Sequence, residues 1–498
     1  MKVDVVRTLL VRPLSRRRGV ETALLLVIDA WYAYVRAPTS IYIFEKSDGT
    51  ENIQDQLLQS LSQTLDVFPQ YTGTLQPYSV TKNGHEQRRA QVVWGGDGSG
   101  AEVIEARTNA RIRHLLPPEV KPSSAFMWDR TGQSLRSLFP SVPSSHGLRI
   151  QMTAFRCGGF SIAIDFDHGL ADAHTFGLFM QIWSTTHNKL FGQADPMKAQ
   201  EELPSVYYDF DFLEKKFPVL EKENEAHQAL LHRARTLPTR RPDYRELFNP
   251  YAPTDTDTAT KLSPPSLFSG TPIMLHVTPH EYELITQSVQ ERTSVPITDQ
   301  VAFVSFLWAA LNRARASTRY PIGLHLPTSL RWTLDLPSGL SGCPILAIMM
   351  TGDKAGPEAM TDPALLASEI KNVLDQYDED AMLAVVADAH TRDSPASAAR
   401  PGAKADRMEF SSAVQFGSSK TSFGSLRPTY FAPLIPIDNL FLMVEGLPTG
   451  EAADVGDKWY KYGANVFFSL PNDVLRNFIL DPAFDSFQKL VDPEMYDF

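Results

Sequence analysis

A long polar stretch divides the sequence into two halves, and this division constrains the fold more than any other feature. Residues 193–265 are rich in Pro, Glu, Arg and alternating Asp and Thr, which is typical of a linker rather than of a buried element. The chain has 498 residues, whereas a single hydrophobic core rarely grows past about 250–300 residues. We therefore predict an N-terminal domain over 1–192, an interdomain linker over 193–265 with a short helix near 220–236, and a C-terminal domain over 266–498.

Each half alternates strand-like and helix-like segments, which predicts α/β architecture in both. In the first half, strands are predicted at 41–44 and 148–166, the latter broken by Gly158-Gly159, and helices at 53–65 and 173–186. In the second half, helices are predicted from a cap at Thr298, from Pro363 and after Pro471. Strands are predicted there at 272–277, 322–328, 409–416, 439–445 and 463–470. Residues 393–407 are interpreted as a loop.

Composition excludes several classes of protein. Hydrophobic residues make up 43% of the chain and charged residues 21%, which indicates a globular protein. The formal net charge of −11 argues against a nucleic-acid partner, because phosphate recognition needs clustered Lys and Arg. The two cysteines, Cys157 and Cys343, are too few for a disulfide framework or a thiolate metal site and suggest a reducing, cytoplasmic compartment. The strand pattern predicts that Cys157 is buried.

The N-terminal region contains a short apolar run that imitates a signal peptide. Residues 23–28 follow the basic run 16–18, but the apolar stretch ends at Asp29. This is far shorter than the ~20 residues that span a membrane, and no small-residue cleavage site follows. We interpret 23–28 as the first buried segment of the fold and expect no membrane span.

A glycine-rich segment at 95–100 raises the question of phosphate binding. Such a loop binds phosphate when a helix follows it, because the helix N-terminus then meets the anion. Here a strand-like segment follows, so a hairpin turn is the favoured interpretation.

The densest polar cluster in an apolar setting covers 164–174, where a predicted strand ends and a helix begins. One interpretation is structural, with a helix cap, a solvated loop and a buried His168. A second is a metal site formed by Asp165, Asp167, His168 and Asp172, but neighbouring residues 167 and 168 point in different directions and no distant His or Cys pattern completes the set. The third is acid–base catalysis by His168, with Asp172 fixing the turn and Gly169 allowing close backbone approach and unusual dihedrals.

The sequence contains no Gly-x-Ser-x-Gly nucleophile elbow. A covalent acyl-enzyme therefore has no obvious nucleophile, and direct transfer by a lone base is favoured over a two-step mechanism.

The segment His168-Gly169-Leu170-Ala171-Asp172 resembles the His-x-x-x-Asp signature of the BAHD acyltransferase superfamily. The resemblance runs nearly end to end, since segments similar to the family's other motifs occur at 26–29, 58–75, 298–313, 326–342, 411–413 and 422–428.

This resemblance implies an α/β fold of two chloramphenicol-acetyltransferase-like domains, each of mixed sheet plus helices, with an active-site channel at their interface. A strand within 407–421 is expected to cross into the N-terminal domain. The implied partners are acyl-CoA, with acetyl-CoA the expected co-substrate, and a small hydroxylated acceptor. The resemblance implies no metal, no permanently bound cofactor and a monomer. His168 is the implied general base, and Asp172 the implied structural partner of Arg331.

Several positions depart from the family's pattern. Ser422, Phe423, Gly424 and Pro428 occupy the second motif, where Ser422 replaces an Asp and the following Ser425 and Leu426 replace Trp and Gly. Ala413 replaces a Trp near the developing oxyanion, which leaves Ser411 and Ser412 as candidate oxyanion donors. Cys343 replaces an Asn after Gly342, and Ala173 a Gly after Asp172. These changes suggest a divergent branch acting in specialised metabolism.

Two rival functions remain at this point. A condensation domain of peptide synthetases shares the fold, but its motif begins with two histidines, whereas Asp167 precedes His168 here. A binding protein that keeps the fold without turnover is the other rival, and an assay of CoA release separates it from an enzyme.

Overall fold

A computed structural model describes most of the chain. The described residues are 1–15, 19–33, 36–46, 52–82, 85–115, 125–127, 133–141, 144–192, 205–209, 212, 225–239, 271–315, 322–351, 356–391, 407–416, 421–433, 438–448 and 453–487. Most of the predicted linker, the basic run 16–18 and all but residue 407 of the predicted loop 393–407 lie outside them.

The strands in chain order are β1 (Asp4–Val11), β2 (Val20–Leu24), β3 (Arg36–Phe44), β4 (Thr74–Lys82), β5 (His85–Gly95), β6 (Ala101–Thr108), β7 (Ala125–Met127), β8 (Leu148–Phe155), β9 (Phe160–Asp167), β10 (Thr271–Val277), β11 (Gly323–Ser329), β12 (Ile345–Met350), β13 (Arg407–Ser412), β14 (Tyr430–Pro433), β15 (Leu440–Glu445) and β16 (Ala464–Leu470).

The α-helices are α1 (Ile53–Val67), α2 (Gln133–Arg136), α3 (Ala173–Phe191), α4 (Glu225–Thr236), α5 (Pro279–Gln290), α6 (Asp299–Ala314), α7 (Leu330–Thr333), α8 (Gly356–Ala359), α9 (Pro363–Leu374), α10 (Glu379–Thr391) and α11 (Asn472–Ile479). None of these described helices is long and apolar enough to cross a membrane.

Two large mixed sheets organise the described residues. The first has the strand order β1-β6-β8-β9-β3-β14 and the second β12-β11-β13-β15-β16-β10-β7. Parallel pairs join β6 to β8, β11 to β13 and β13 to β15, and the remaining pairs are antiparallel. A smaller sheet contains β2, β5 and β4. This is the mixed α/β architecture that the sequence predicts.

The two large sheets exchange strands, and the predicted position of the exchange is wrong. We expected the crossover within 407–421, but β13 lies inside the second sheet, between β11 and β15. The strand that joins the first sheet is β14, which pairs with β3. In return, β7 from the first half pairs with β10 of the second sheet. The local pattern of a strand carries no information about which sheet receives it.

Helix α3 packs on the first sheet through aromatic side chains. Phe166 of β9 lies 5.3 Å from Phe179, between ring centroids, and in an edge-to-face arrangement. Trp183, fully buried, donates from Nε1 to Ser60 Oγ of α1 at 3.0 Å. These ring contacts and the Trp183 hydrogen bond hold α3 on the sheet, and the first turn of α3 directly follows the predicted catalytic residues.

In the second half, α6 is buried on nearly every side and packs against α5, α9 and α11. Its N-cap is Thr298, as predicted, with the hydroxyl accepting from Val301 N. Trp308 donates from Nε1 to Ile322 O at 2.8 Å, which satisfies the one polar atom of this large buried side chain. The helix therefore serves as the centre of the second core.

Two local predictions are confirmed. Residues 25–28 are buried, as expected of a first core segment. Helix α4 lies within the range predicted for a helix in the linker.

Two other local predictions are wrong. The glycine-rich segment 95–100 is not a hairpin turn, because β5 and β6, which it joins, lie in different sheets. Cys157 is exposed, since the positive φ of Gly158 (+89°) turns the chain between β8 and β9. In each case the sequence pattern predicted the strands but not how the chain turns or pairs at their ends.

Candidate active site

His168 lies in the short turn between β9 and α3, and this turn faces the second half of the chain. Strand β9 is buried along its whole length, which gives the turn a rigid base. Asp172 is the N-cap of α3, and its Oδ1 accepts from Thr175 N at 2.8 Å. The backbone N–H of Asp172 donates to Gly342 O at 3.1 Å, which fixes the turn to the segment before β12.

Asp172 and Arg331 form a buried ion pair, as the resemblance implied. Arg331 Nη2 lies 3.2 Å from Asp172 Oδ2, and the two side chains are only 2% and 3% exposed. Arg331 also donates to Thr175 Oγ1 and to the carbonyls of Leu340 and Gly342. These bonds satisfy the guanidinium and tie the second half of the chain to the start of α3.

The charge of Asp172 is stabilised by this network. Burial alone would raise the pKa of the carboxyl, but Arg331, His174 and the hydrogen bonds from Thr175 hold the pKa below its usual value. The carboxylate therefore stays ionised and directed at Arg331. Its role is to build the turn, and its proton-accepting capacity is low.

The imidazole of His168 is held at Nδ1. This nitrogen lies 3.1 Å from Ala171 O and 3.3 Å from Cys343 Sγ. A carbonyl oxygen can only accept, so the neutral ring carries its proton on Nδ1 and leaves a lone pair on Nε2. Burial lowers the pKa of His168 below its ordinary value, which outweighs the opposing effects of Asp172, Ala171 and Glu409. At neutral pH the ring is thus an unprotonated base.

A 3₁₀ helix, Asp29–Tyr32, packs on this turn. The Tyr32 and His168 rings lie 4.7 Å apart, between centroids, with their planes 33° from parallel. A Cβ atom on Gly169 would come within 3.1 Å of Asp29 O and of Ala33 Cα. A larger residue at 169 would therefore press on the 3₁₀ helix, whereas the unusual backbone dihedral that we expected of Gly169 is not observed.

The metal interpretation of the cluster is not supported by the geometry. Asp165 pairs with Arg149 and accepts from Thr39 Oγ1, and Asp167 accepts from Gly169 N at 3.0 Å. Among the described residues, no group of three His, Cys, Asp or Glu side chains converges to hold a metal ion. The acidic side chains of 164–174 support the turn instead.

The candidate oxyanion donors lie near the end of β13. Ser411 and Ser412 are both half-buried and point to opposite faces of the sheet, as neighbours in a strand must. Glu409 shares the face of Ser411, and its charge acts on His168. The two serines therefore cannot both face the turn that carries His168.

The second-motif loop lies at the other end of α3. Phe423 is 1% exposed and packs against the rings of Phe44, Trp183 and His187. Ser422 O accepts from Ser184 Oγ at 2.6 Å, and Gly424 N donates to Asn188 Oδ1 at 2.6 Å. Pro428 is buried just before β14. The turn of α3 at Ser184 is about 18 Å from its N-cap at 1.5 Å per residue, so this loop supports the fold from a distance.

Sequence reasoning missed two neighbours of His168. Cys343 was noted only as a departure from the family, and Tyr32 was not considered. The one available signal was the Gly342-Cys343 pair at the end of the 326–342 segment. No local pattern places a thiol 175 residues away against an imidazole nitrogen.

Several known proteins are similar to this chain in sequence. The profile described as "Transferase family" matches residues 1–244. Acyltransferase abl6 of Leptosphaeria maculans is 48% identical over 99% of this chain and 100% of its own length. Acyltransferase AFT15-1 of Alternaria alternata is 30% identical over 86% of this chain and 84% of its own.

Solved structures agree on the fold. TRI101 of F. sporotrichioides, in a crystal structure with coenzyme A and T-2, superposes with a TM-score of 0.65 over 94% of this chain and 98% of that one, at 12% identity. The chain therefore belongs to the Transferase family of BAHD acyltransferases and is itself an acyltransferase.

Proposed function

We propose that the protein is an acyl-CoA-dependent O-acyltransferase that uses His168 Nε2 as its general base. The observation that carries this proposal is the hydrogen bond between His168 Nδ1 and Ala171 O, which leaves the lone pair on Nε2. The ion pair of Asp172 with Arg331 supports it, because a carboxylate neutralised elsewhere leaves the imidazole as the available base.

The reaction follows from this arrangement. His168 Nε2 takes the proton of the acceptor hydroxyl. At the same time the hydroxyl oxygen attacks the thioester carbonyl carbon and forms a tetrahedral intermediate. The negative charge passes to the former carbonyl oxygen, for which the Ser411 hydroxyl is the proposed donor. The C–S bond then breaks, and the thiolate of CoA takes the proton back from the imidazolium. The products are the ester and free CoA, and the base returns to its first state.

Acyl-CoA is the proposed donor and a small hydroxylated specialised metabolite the proposed acceptor. The structural neighbour TRI101 binds coenzyme A in its crystal structure, which supports a CoA thioester here. Acetyl-CoA is the first donor to test, because short acyl groups are common among enzymes of this kind. We also propose that the enzyme acts as a monomer in the cytoplasm.

The test follows free CoA thiol from purified protein incubated with acetyl-CoA and longer acyl-CoAs, each with a panel of hydroxylated polyketides, terpenoids and phenolics. His168→Ala should lower the rate by ~10²–10⁴, the usual contribution of a general base. The matched control is His114→Ala, which removes an exposed histidine and should leave the rate unchanged. Amine acceptors in the panel test the condensation-like alternative.

Two outcomes would contradict the proposal. Retention of the full rate by His168→Ala would remove the general base from the mechanism. CoA binding in calorimetry without thiol release for any acceptor would instead favour the non-catalytic relative.

A further inference from the structure

Cys343 contacts the imidazole of His168 on the side away from the proposed base. The thiol is fully buried, with Sγ 3.3 Å from Nδ1. Its backbone is fixed, because Gly342 O, one peptide earlier, accepts from Asp172 N, Thr175 Oγ1 and Arg331 Nη2. The position of the sulfur is therefore set by the same network that builds the turn.

Sulfur at this place affects the orientation of the ring. Together, Ala171 O and Cys343 Sγ surround Nδ1 with one strong and one weak acceptor. A ring flipped by 180° would turn a carbon towards the carbonyl and lose the hydrogen bond. The contact thus favours a single orientation, with Nε2 on the opposite side.

The charge of the site gives the second part of the argument. The ionisable groups that act on His168 or Cys343 are Asp29, Asp167, Asp172, Arg331 and Glu409. Burial, followed by the carboxylates of Asp172, Asp29 and Asp167, raises the pKa of the Cys343 thiol well above its ordinary value. The group at Nδ1 is therefore a neutral thiol at neutral pH.

A neutral neighbour has a direct consequence for the base. A carboxylate within about 4–6 Å would favour the imidazolium and raise the pKa of His168. The thiol has no such effect, so the lowering of the pKa by burial is preserved. The ring remains unprotonated and able to accept a proton at neutral pH.

We propose that Cys343 is a positioning residue for His168, which holds the ring with its proton on Nδ1 and Nε2 free, without adding a charge. This inference rests on the proposed function, in which His168 is the base. It also excludes Cys343 as a nucleophile, because Nδ1 already carries a proton and cannot accept the one from the thiol.

The experiment compares Cys343→Ala, Cys343→Ser and Cys343→Asp with the wild type in the CoA-release assay across pH. Cys343→Ala should lower kcat by roughly 10-fold and leave KM for acyl-CoA unchanged, a smaller effect than the ~10² of a 1 Å misplacement. Cys343→Ser should retain more of the rate. Cys343→Asp should move the midpoint of the kcat/KM profile upward by about 1–3 pH units. Cys157→Ala is the matched control, because it removes the exposed thiol at the other end of β9.

A second measurement does not depend on activity. The ¹⁵N shifts of histidine in the wild type should show one buried imidazole protonated on Nδ1, absent from His168→Ala. Protonation on Nε2 would overturn the proposal. So would an acyl group on Cys343 in peptide mass spectra, or a folded Cys343→Ala with wild-type kcat.

The two proposals fail in different ways. An inactive wild type, or an active His168→Ala, would remove the proposed function. An active, His168-dependent enzyme that is indifferent to Cys343→Ala would remove only the positioning role.

Discussion

The two ends of α3 are held by different kinds of interaction. At its N-terminus, Asp172, Thr175 and Arg331 form a buried network in which charges and carbonyls meet directional partners. At its C-terminal half, the loop around Phe423 is held by ring packing and by bonds from Ser184 and Asn188 to loop backbone atoms.

This difference explains which departures from the family the fold tolerates. The second-motif loop is bound mainly through the carbonyl of Ser422 and the N–H of Gly424, atoms that every residue type supplies. Its side chains at 422 and 425 can therefore change while Phe423 stays. At the other end each side chain has a specific partner, and both members of the ion pair are present. Five variants test this contrast and the proposed mechanism, beginning with the largest expected effect.

Asp172→Ala should have the largest effect, because it leaves the Arg331 guanidinium buried without its counter-charge. We expect the free energy of unfolding to fall by about 3–5 kcal/mol and CoA release to fall by ~10²–10⁴ as the turn that carries His168 loses its cap. Denaturant unfolding measures the loss of stability, and the assay of free CoA thiol measures the loss of rate. Asp375→Ala, which breaks an exposed pair with Lys371, is the control and should lose far less.

The double variant Asp172→Leu with Arg331→Met sharpens the same test. Removing both charges should recover much of the stability, since buried pairs can be replaced by apolar groups, but it should not recover activity. Equal stability of the single and double variants would show that the ion pair is not the source of the loss.

Phe423→Ala should cost about 3–5 kcal/mol of stability through the cavity left among Phe44, Trp183 and His187. Because the loop lies far from His168, kcat per folded molecule should not change. Phe423→Leu should lose less. A fall in kcat without a fall in stability would contradict the division between the two ends.

Ser411→Ala should lower kcat by up to ~10², if its hydroxyl is the oxyanion donor, without changing stability. Ser412→Ala is the matched control, because the next residue of β13 points to the other face. Initial rates at saturating acyl-CoA measure the effect. Equal losses in the two variants would remove Ser411 from the proposed mechanism.

Ser425→Ala should have the smallest effect. The side chain is exposed in the turn of the second-motif loop, so stability should change by less than about 0.5 kcal/mol and the rate should be unchanged. Thermal unfolding tests the stability, and CoA release tests the rate. A large loss of either would mean that this loop depends on its side chains after all.

Local patterns predicted much of the fold and part of the site. The helix after Asp172, the Thr298 cap and strands β10, β11, β13, β15 and β16 were identified, because periodicity and capping depend on adjacent residues, whereas β12 and β14 were not. The pairing of Asp172 with Arg331 was implied by the resemblance to the family, and the structure contains it.

Predictions failed where the answer depended on distant residues. The glycines of 95–100 were expected to close a hairpin, but the strands on either side pair elsewhere. The crossover was assigned to 407–421, although β14 makes it. Both segments have the local pattern of a strand end, and partner choice is decided by the surfaces that remain unpaired in the folded chain.

The sequence by itself determined the α/β character, the order of most elements and the residues able to do acid–base chemistry. Only the tertiary structure decided how those residues are used. It turned Asp172 away to Arg331, brought Ala171 O and Cys343 Sγ to His168 Nδ1 and left the lone pair on Nε2, the proposed base. The physical reason is that tautomer, pKa and ion pairing depend on atoms in contact, and the Cys343 thiol comes from 175 residues along the chain.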